Sequence, residues 1–254
     1  MWSFTRLPTH DNLLHKGRAA NGASNRSVPA QGRHCDNRLR GQRVNDNFLG
    51  ITFEPTAVTA RTLQGIRGHR VLIIGESHHS KEQEARPELT REEVEKWKTS
   101  KYRSRVPWGL PKLFSMDKPE FWNSVVYYNY LQTGFAVDGP AESGSDPVSS
   151  EAFQKVLDQI QPSRILVLGK DTWRKLPGAP GTIFQSPVNE PALPLEAEFG
   201  AVDPVDDHAM WFAYRPAGYA LAMPIVHPAS QHFSIGHVRP AVERWLNFAG
   251  APPE

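Results

Sequence analysis

The sequence contains a single cysteine, Cys35, among 254 residues. An intrachain disulfide is therefore excluded, as is any metal or iron–sulfur site built only from cysteines of one chain. This scarcity agrees with a reducing, cytoplasmic environment. No apolar run approaches the ~20 residues that span a bilayer, and the first residues form no uninterrupted apolar segment. We therefore expect neither a membrane span nor a secretory signal.

Charge of either sign is nearly balanced overall but unevenly placed. The net charge is +2, yet residues 1–45 contain eight Lys or Arg against two Asp, which leaves a negative balance in the remainder. A basic arm rich in Asn, Gly and Ser can tether a protein to phosphates, and a solvated leader or a misassigned start explains the same composition equally well. We therefore divide the chain into a flexible basic arm, residues 1–45, and one folded domain, residues 46–254.

Short apolar segments that stop at polar loops predict the strands of this domain. The clearest cover residues 71–74, 164–169 and 219–226, and such runs are typical of buried parallel strands. Helices are predicted at residues 57–66, 90–102, 150–160, 171–176 and 239–248. The first predicted helix precedes the first strand, and the later helices alternate with the strands or follow the last one. The pattern predicts an α/β fold, three-layer α/β/α, with a central, mainly parallel sheet of about four strands.

Three further segments of the sequence have their own local patterns. Thr90 and Glu93 have the spacing of a capping box that opens a helix. Residues 104–119 contain three prolines and are expected to form a loop. Residues 121–132 are apolar and aromatic, and their pattern does not separate helix from strand.

Two predicted strands end at loops that contain histidine. The loop from Gly75 to Ser80 follows the first strand, and the loop from His227 to Ser230 follows the last. The carboxyl ends of parallel strands meet at one edge of a sheet, where open α/β sheets build active sites. We therefore expect Glu76 and His227 to face a single substrate.

These loops resemble the two motifs of the uracil-DNA glycosylase superfamily. In that family a Gly-Gln-Asp-Pro-Tyr-His or Gly-Glu-Ala-Pro-Gly-like motif follows the first core strand, and a His-Pro-Ser motif precedes a DNA-penetrating loop. The counterparts here are Gly75 to Ser80 and His227 to Phe233. Asn129, in an apolar segment, and Lys170, after the strand at 165–169, match in the same order. The resemblance covers about residues 65–248.

The resemblance implies a monofunctional DNA glycosylase that uses no metal or cofactor. Such an enzyme flips uracil or a carbon-5-modified pyrimidine out of DNA and hydrolyses its N-glycosidic bond, leaving an abasic site. The sugar becomes oxocarbenium-like while the base leaves with negative charge, so Glu76 is implied to orient water and stabilise the cation, and His227 to stabilise the base. The partner is DNA, in repair or in defence against modified viral DNA, and the expected state is a cytoplasmic monomer.

The remaining site residues come from the same resemblance. Those implied to contact the substrate are Gly75, Ser77, His79 and Asn129, with Trp108 or Phe114 as the stacking aromatic. Those implied to contact DNA are Lys170 and the wedge residues Ser230, Gln231 and Phe233, of which Gln231 or Phe233 enters the base stack.

The first motif departs from the family pattern at three positions. Ser77 stands where the best-known branch has its catalytic Asp, His78 replaces the usual Pro, and His79 replaces a Tyr. In the uracil-specific branch that Tyr closes the pocket against substituents on carbon 5 of the base. The smaller His79 therefore predicts that a base modified at carbon 5 is admitted.

Two other classes of protein agree with the sequence. One is an esterase or metal-dependent hydrolase that uses the 75–79 loop with His227, His232 and His237. However, His79 interrupts a Gly-x-Ser-x-Gly motif, and histidines spaced by five do not share a helix face as an i, i+4 pair does. The other is a non-catalytic DNA-binding protein of the same fold.

Overall fold

The computed structural model describes residues 51–78, 86–101, 104–132, 146–178, 191–194 and 208–252. The predicted arm, residues 1–45, and His79 lie outside these segments. The helices are α1 (Ala60–Gln64), α2 (Leu89–Thr99), α3 (Arg105–Leu113), α4 (Lys118–Ser124), α5 (Pro147–Ile160), α6 (Lys170–Lys175) and α7 (Ile235–Asn247). The strands are β1 (Val71–Gly75), β2 (Val125–Asn129), β3 (Arg164–Leu168), β4 (Pro191–Pro194), β5 (His208–Tyr214) and β6 (Gly218–Ile225). Within the described segments, no helix combines the length and apolarity that crossing a membrane requires.

One sheet contains all the described strands, in the order β2-β1-β3-β6-β5-β4. The first four strands are parallel, whereas β5 and β4 are antiparallel to their neighbours. The predicted α/β class with a mainly parallel sheet is confirmed. The predicted number of four strands describes only the parallel part, because β5 forms an unpredicted hairpin with β6 and β4 extends it.

Apolar side chains on both faces of the sheet explain why β1 is apolar throughout. Val71 and Ile73 point to a core that includes residues of α2, α3, α4 and α7. Leu72 and Ile74 point to a second core that includes residues of α5 and α6. A strand buried on both sides has no polar face, which is why its sequence shows an uninterrupted apolar run.

The proline-rich segment that the sequence predicts as a loop is instead largely the helix α3. Pro107 lies in the first turn, where a backbone N–H has no intrahelical partner to lose, and Pro111 lies in the last turn. Leu110 and Leu113 are fully buried in the core. Burial of this apolar side stabilises a helix that the proline content alone disfavours. The ambiguous segment after it contains both alternatives, since α4 is followed directly by β2.

The strand order reverses at β1, so the sheet has a topological switch point between β1 and β3. After β1 the chain adds β2 on one side, and it then crosses to add β3 on the other. A crevice outside the carboxyl ends at such a switch point is the usual ligand site of an open α/β sheet. The four parallel strands end almost level, because Gly75 pairs with Asn129, Ile74 with Val167, and Leu168 with Ile225.

Candidate active site

A cleft of about 660 Å³ lies at this carboxyl edge. All four parallel strands contribute to its wall: Glu76 follows β1, Asn129 ends β2, Gly169 follows β3, and His227 lies just beyond β6. The volume is within the range of small-molecule sites. Glu76 and His227 therefore lie where one substrate can contact both.

A buried lysine holds the carboxylate of Glu76. The Lys175 ammonium, on α6, forms an ion pair with Oε1 of Glu76, and the side chains are 6% and 28% exposed respectively. The lysine carbonyl accepts a hydrogen bond from Tyr130 Oη at 2.8 Å, which fixes this end of α6. A buried ammonium needs a charged partner, so the lysine restricts the carboxylate to one position on the cleft wall.

The backbone defines the proton position on the ring of His227. The N–H of Ala229 donates to Nδ1 at 3.2 Å, so in the neutral ring the proton resides on Nε2. Gly169 lies directly behind this histidine, with φ at +94°, and a Cβ added there would lie 3.3 Å from His227 Cβ. The loop therefore presents an imidazole whose Nε2 is the donor.

A second histidine, His78, lies buried beside the cleft. Its Nδ1 lies 3.0 Å from Oε2 of Glu93 and its Nε2 lies 3.1 Å from Oγ1 of Thr90. The capping-box prediction is thus wrong: α2 begins at Leu89, and its N-cap residue Glu88 makes no side-chain capping bond. Spacing of three residues puts Thr90 and Glu93 on one face of α2, and that face binds the imidazole instead.

The amide of Asn129 is fixed by its neighbours. Tyr127 Oη donates to Oδ1 at 3.1 Å, while Nδ2 lies 3.1 and 3.4 Å from the two ring nitrogens of His78. An atom nearly equidistant from both nitrogens lies over the ring face rather than in its plane. Burial, with a smaller contribution from Glu93, raises the pKa of Tyr127 far above its usual value, so the phenol stays protonated and donates.

Gly75 makes room for this arrangement. A Cβ added to Gly75 would lie 2.1 Å from Tyr127 Oη and 2.5 Å from Asn129 Oδ1, distances at which atoms overlap. The glycine is needed because β2, the neighbouring strand, directs two polar side chains over the end of β1. Gly75 was predicted to contact the substrate. In the structure, its lack of a side chain leaves space for Tyr127 and Asn129, which line the cleft.

Ser77, the third predicted residue of this loop, also lines the cleft. The residue is 6% exposed, and its Oγ has no hydrogen-bond partner among the described residues. A buried hydroxyl without a partner leaves a donor and an acceptor to be satisfied. No described group satisfies the Ser77 hydroxyl, although the residue is part of the cleft wall.

The two predicted stacking aromatics lie elsewhere, which corrects that expectation. Phe114 is 7% exposed and belongs to the core, with its ring 5.0 Å from that of Phe121. Trp108 lines a neighbouring hollow. The aromatic residues of the cleft are Trp97 and Tyr127, whose ring centroids are 5.1 Å apart.

That neighbouring hollow, of about 770 Å³, adjoins the cleft across a shared wall. His227 and Ala229 line the cleft, whereas Pro228, Gln231 and Phe233 from the same loop line the hollow. The start of α3 divides in the same way. The other residues that line the hollow are Arg105, Trp108, Gly109, Lys112, Ser234, Ile235 and Gly236.

The predicted DNA-contacting residues lie on the 227–233 loop and at the start of α6. Phe233 is half-buried, and its Cε1 would lie 3.3 Å from a Cβ added to Gly109, so its ring packs on α3 and does not project as a wedge. Gln231 is exposed at the loop tip. Ser230 donates its N–H to the carbonyl of His227 at 2.8 Å. Lys170 is exposed at the start of α6, between the cleft-lining residues Gly169 and Asp171, and is not itself part of the lining of either cavity.

Sequence reasoning missed four residues of this region: Glu93, Trp97, Asp171 and Lys175. The Thr90-x-x-Glu93 spacing was a usable signal, although it indicates a helix face as readily as a cap. Lys175 gave no signal, because its partner is 99 positions away. Within the described segments, no three His, Cys, Asp or Glu side chains are grouped so as to hold a metal ion.

No protein-family model matches the chain, and no curated protein matches it. What the chain does must therefore be inferred from the geometry of the cleft and the motifs of its two loops.

Proposed function

We propose that the chain is a monofunctional DNA glycosylase that excises uracil or a carbon-5-modified pyrimidine by attack of water at the sugar. The observation that carries the proposal is that Glu76 and His227, from loops after two non-adjacent strands, line one cleft. In this proposal the fold is a three-layer α/β/α unit whose four parallel strands bear the site. The partner is DNA, and the protein acts as a cytoplasmic monomer.

The carboxylate serves the sugar. As the C1′–N1 bond breaks, its electron pair leaves with the base and positive charge develops on the sugar. The Glu76 carboxylate stabilises that charge and accepts a proton from the water whose oxygen bonds to C1′. Its ion pair with Lys175 supports this role because it holds the carboxylate in one place before substrate arrives.

The imidazole serves the base. Negative charge develops on the carbonyl oxygen of the departing pyrimidine, and a preorganised donor stabilises it more than water does. His227 has the proton of its neutral ring on Nε2, since Nδ1 accepts from Ala229. The base leaves as an anion held by this donor and is then protonated by solvent.

Residues on the other wall of the cleft form hydrogen bonds with the base and stack on it. Asn129 presents an amide fixed by Tyr127 and His78, and amides bond the donor and acceptor edge of a base. Trp97 takes the stacking role first assigned to Trp108 or Phe114, because its indole lines the cleft and packs on Tyr127. Stacking of a base on an aromatic side chain contributes roughly 1–3 kcal/mol.

The test uses single-stranded and duplex DNA with uracil or a carbon-5-modified pyrimidine at one position, followed by alkaline cleavage of abasic sites. We expect the wild type to form abasic sites and Glu76→Gln to lose about 10²–10⁴ in rate. Glu151→Gln is the matched control, because Glu151 also pairs with a lysine but is exposed, on α5. DNA binding without abasic sites, unchanged by Glu76→Gln, would instead indicate a non-catalytic binding protein.

The same panel tests the range of bases. Excision of uracil with no excision of any 5-substituted pyrimidine would remove the prediction made from His79. Excision of the substituted base by the wild type would support it.

A further inference from the structure

The charges that line the two adjoining cavities are of opposite sign. The cleft has three acidic residues in its wall, Glu76, Glu93 and Asp171. The hollow has Arg105 and Lys112, and its lining contains no acidic residue. Because Glu76 is paired with Lys175, the firmer contrast is on the other side: the hollow, with two basic residues and no acidic one in its lining, attracts an anionic group.

Three further features of the hollow suit a phosphate of a nucleic acid. The first turn of α7, a helix of 13 residues, opens into it through Ser234, Ile235 and Gly236, and the positive end of a helix dipole favours anions. Trp108 provides an aromatic surface. The ammonium groups of Lys112 and Lys118 lie 5.7 and 5.3 Å from its ring centroid, which concentrates positive charge around that surface.

We propose that the hollow binds the nucleotide that flanks the excised one, with its phosphodiester at Arg105, Lys112 and the start of α7 and its sugar or base on Trp108. The inference rests on the proposed function for the choice of DNA as ligand. Residues 227 and 229 of the 227–233 loop line the cleft, whereas residues 228, 231 and 233 line the hollow, so a single strand can insert a base on one side of the loop and lay the next phosphate on the other. The site thus selects a polynucleotide over a free nucleoside.

Gly236 allows the electrostatic part to be tested without weakening the fold. A Cβ there would meet only Ser234 Oγ, at 3.8 Å. An acidic residue in the first turn of a helix also favours the helix. We therefore expect Gly236→Glu to keep or raise the melting temperature yet weaken DNA binding about tenfold, because it adds a negative charge to the hollow. Gly236→Gln, of the same size without the charge, is expected to bind close to the wild type.

Lys112 tests the same site by loss of charge. Binding of a fluorescein-labelled strand with one uracil is measured by anisotropy from about 50 to 200 mM salt, in the Glu76→Gln background so that no excision occurs. We expect Lys112→Ala to reduce the slope of log K against log salt by about 0.7 on a single strand. Lys155→Ala, which removes an exposed lysine of α5, is expected to leave the slope unchanged.

The outcomes separate this inference from the proposed function. If bases are excised but Gly236→Glu and Lys112→Ala bind like their controls, the hollow is not the phosphate site and the glycosylase proposal stands. If no base is excised but these variants still weaken binding selectively, the hollow stands and the glycosylase proposal falls. A mononucleotide that competes as strongly as the strand would overturn the assignment to a polynucleotide.

Discussion

The cleft and the hollow differ in how their polar groups are held. In the cleft, His78, Asn129 and Lys175 are buried, and each has a named side-chain partner. In the hollow, Arg105 and Lys112 are exposed side chains. Buried polar networks are fixed before a ligand arrives, whereas exposed side chains are ordered by it. Substitutions in the cleft should therefore change stability or turnover, and those in the hollow should mainly change the binding of DNA.

Beyond Glu76→Gln, the largest effect is expected from removing the His227 imidazole. In the proposed mechanism His227→Ala removes the Nε2 proton that stabilises the leaving base, and loss of one such donor typically lowers kcat by about 10²–10³. Single-turnover excision rates provide the measurement, with His237→Ala, an exposed histidine of α7, as the control. An unchanged rate in His227→Ala would contradict the role proposed for His227. It would also remove the expected difference in turnover between substitutions in the cleft and in the hollow.

A smaller effect, on stability, is expected from Lys175→Met. The variant leaves the Glu76 carboxylate partly buried without its partner, and we expect a loss of about 2 kcal/mol in the free energy of unfolding, below the value for fully buried pairs because Glu76 is 28% exposed. Lys155→Met breaks an exposed pair and should cost under about 1 kcal/mol. Urea unfolding measures both.

A double variant checks the reason for this loss. Glu76→Gln combined with Lys175→Met removes both charges, so it should be more stable than Lys175→Met alone. Equal stability of the two would show that the ion pair does not hold the carboxylate.

The smallest effect is expected from crowding at the end of β1. Gly75→Ala forces a methyl group against Tyr127 Oη and Asn129 Oδ1, and we expect a loss of about 1–2 kcal/mol. Adding Tyr127→Phe removes the closer of the two atoms and should restore part of the stability in urea unfolding. Gly236→Ala, which meets no close neighbour, should be neutral or stabilising. Full stability of Gly75→Ala would contradict the packing described.

Three of the four parallel strands, β1, β3 and β6, could be predicted because they are buried on both faces, whereas the pattern of β2 did not separate helix from strand. These three strands appear in the sequence as short apolar runs. The polar loops that follow two of them contain Glu76 and His227, which is why both residues were predicted to belong to the site. β5 was missed although it is apolar, since a hairpin to β6 at the sheet edge leaves no mark that separates it from the irregular segment before it. α3 was missed because its prolines suggested a loop, while the burial that stabilises it depends on tertiary packing.

The details of the site were less predictable because they depend on contacts between distant parts of the chain. The ion pair of Lys175 with Glu76 joins α6 to the loop after β1, and no local pattern encodes it. Trp108 and Phe114, the aromatic residues predicted to stack on the base, do not line the cleft, whereas Trp97 does. Trp97 lies on α2, and only the packing of α2 over β2 brings its indole to the cleft.

Arg105 connects the two cavities, because it lines the hollow and binds the loop that contains His227 of the cleft. Its Nη1 donates to the carbonyls of Ala229 at 3.1 Å and Ser230 at 2.9 Å, in the loop that carries His227. If the hollow binds a phosphate as proposed, a guanidinium drawn toward that phosphate also shifts the backbone next to His227. Remote binding energy is then spent on aligning the reacting groups, so short substrates should turn over more slowly even at saturation.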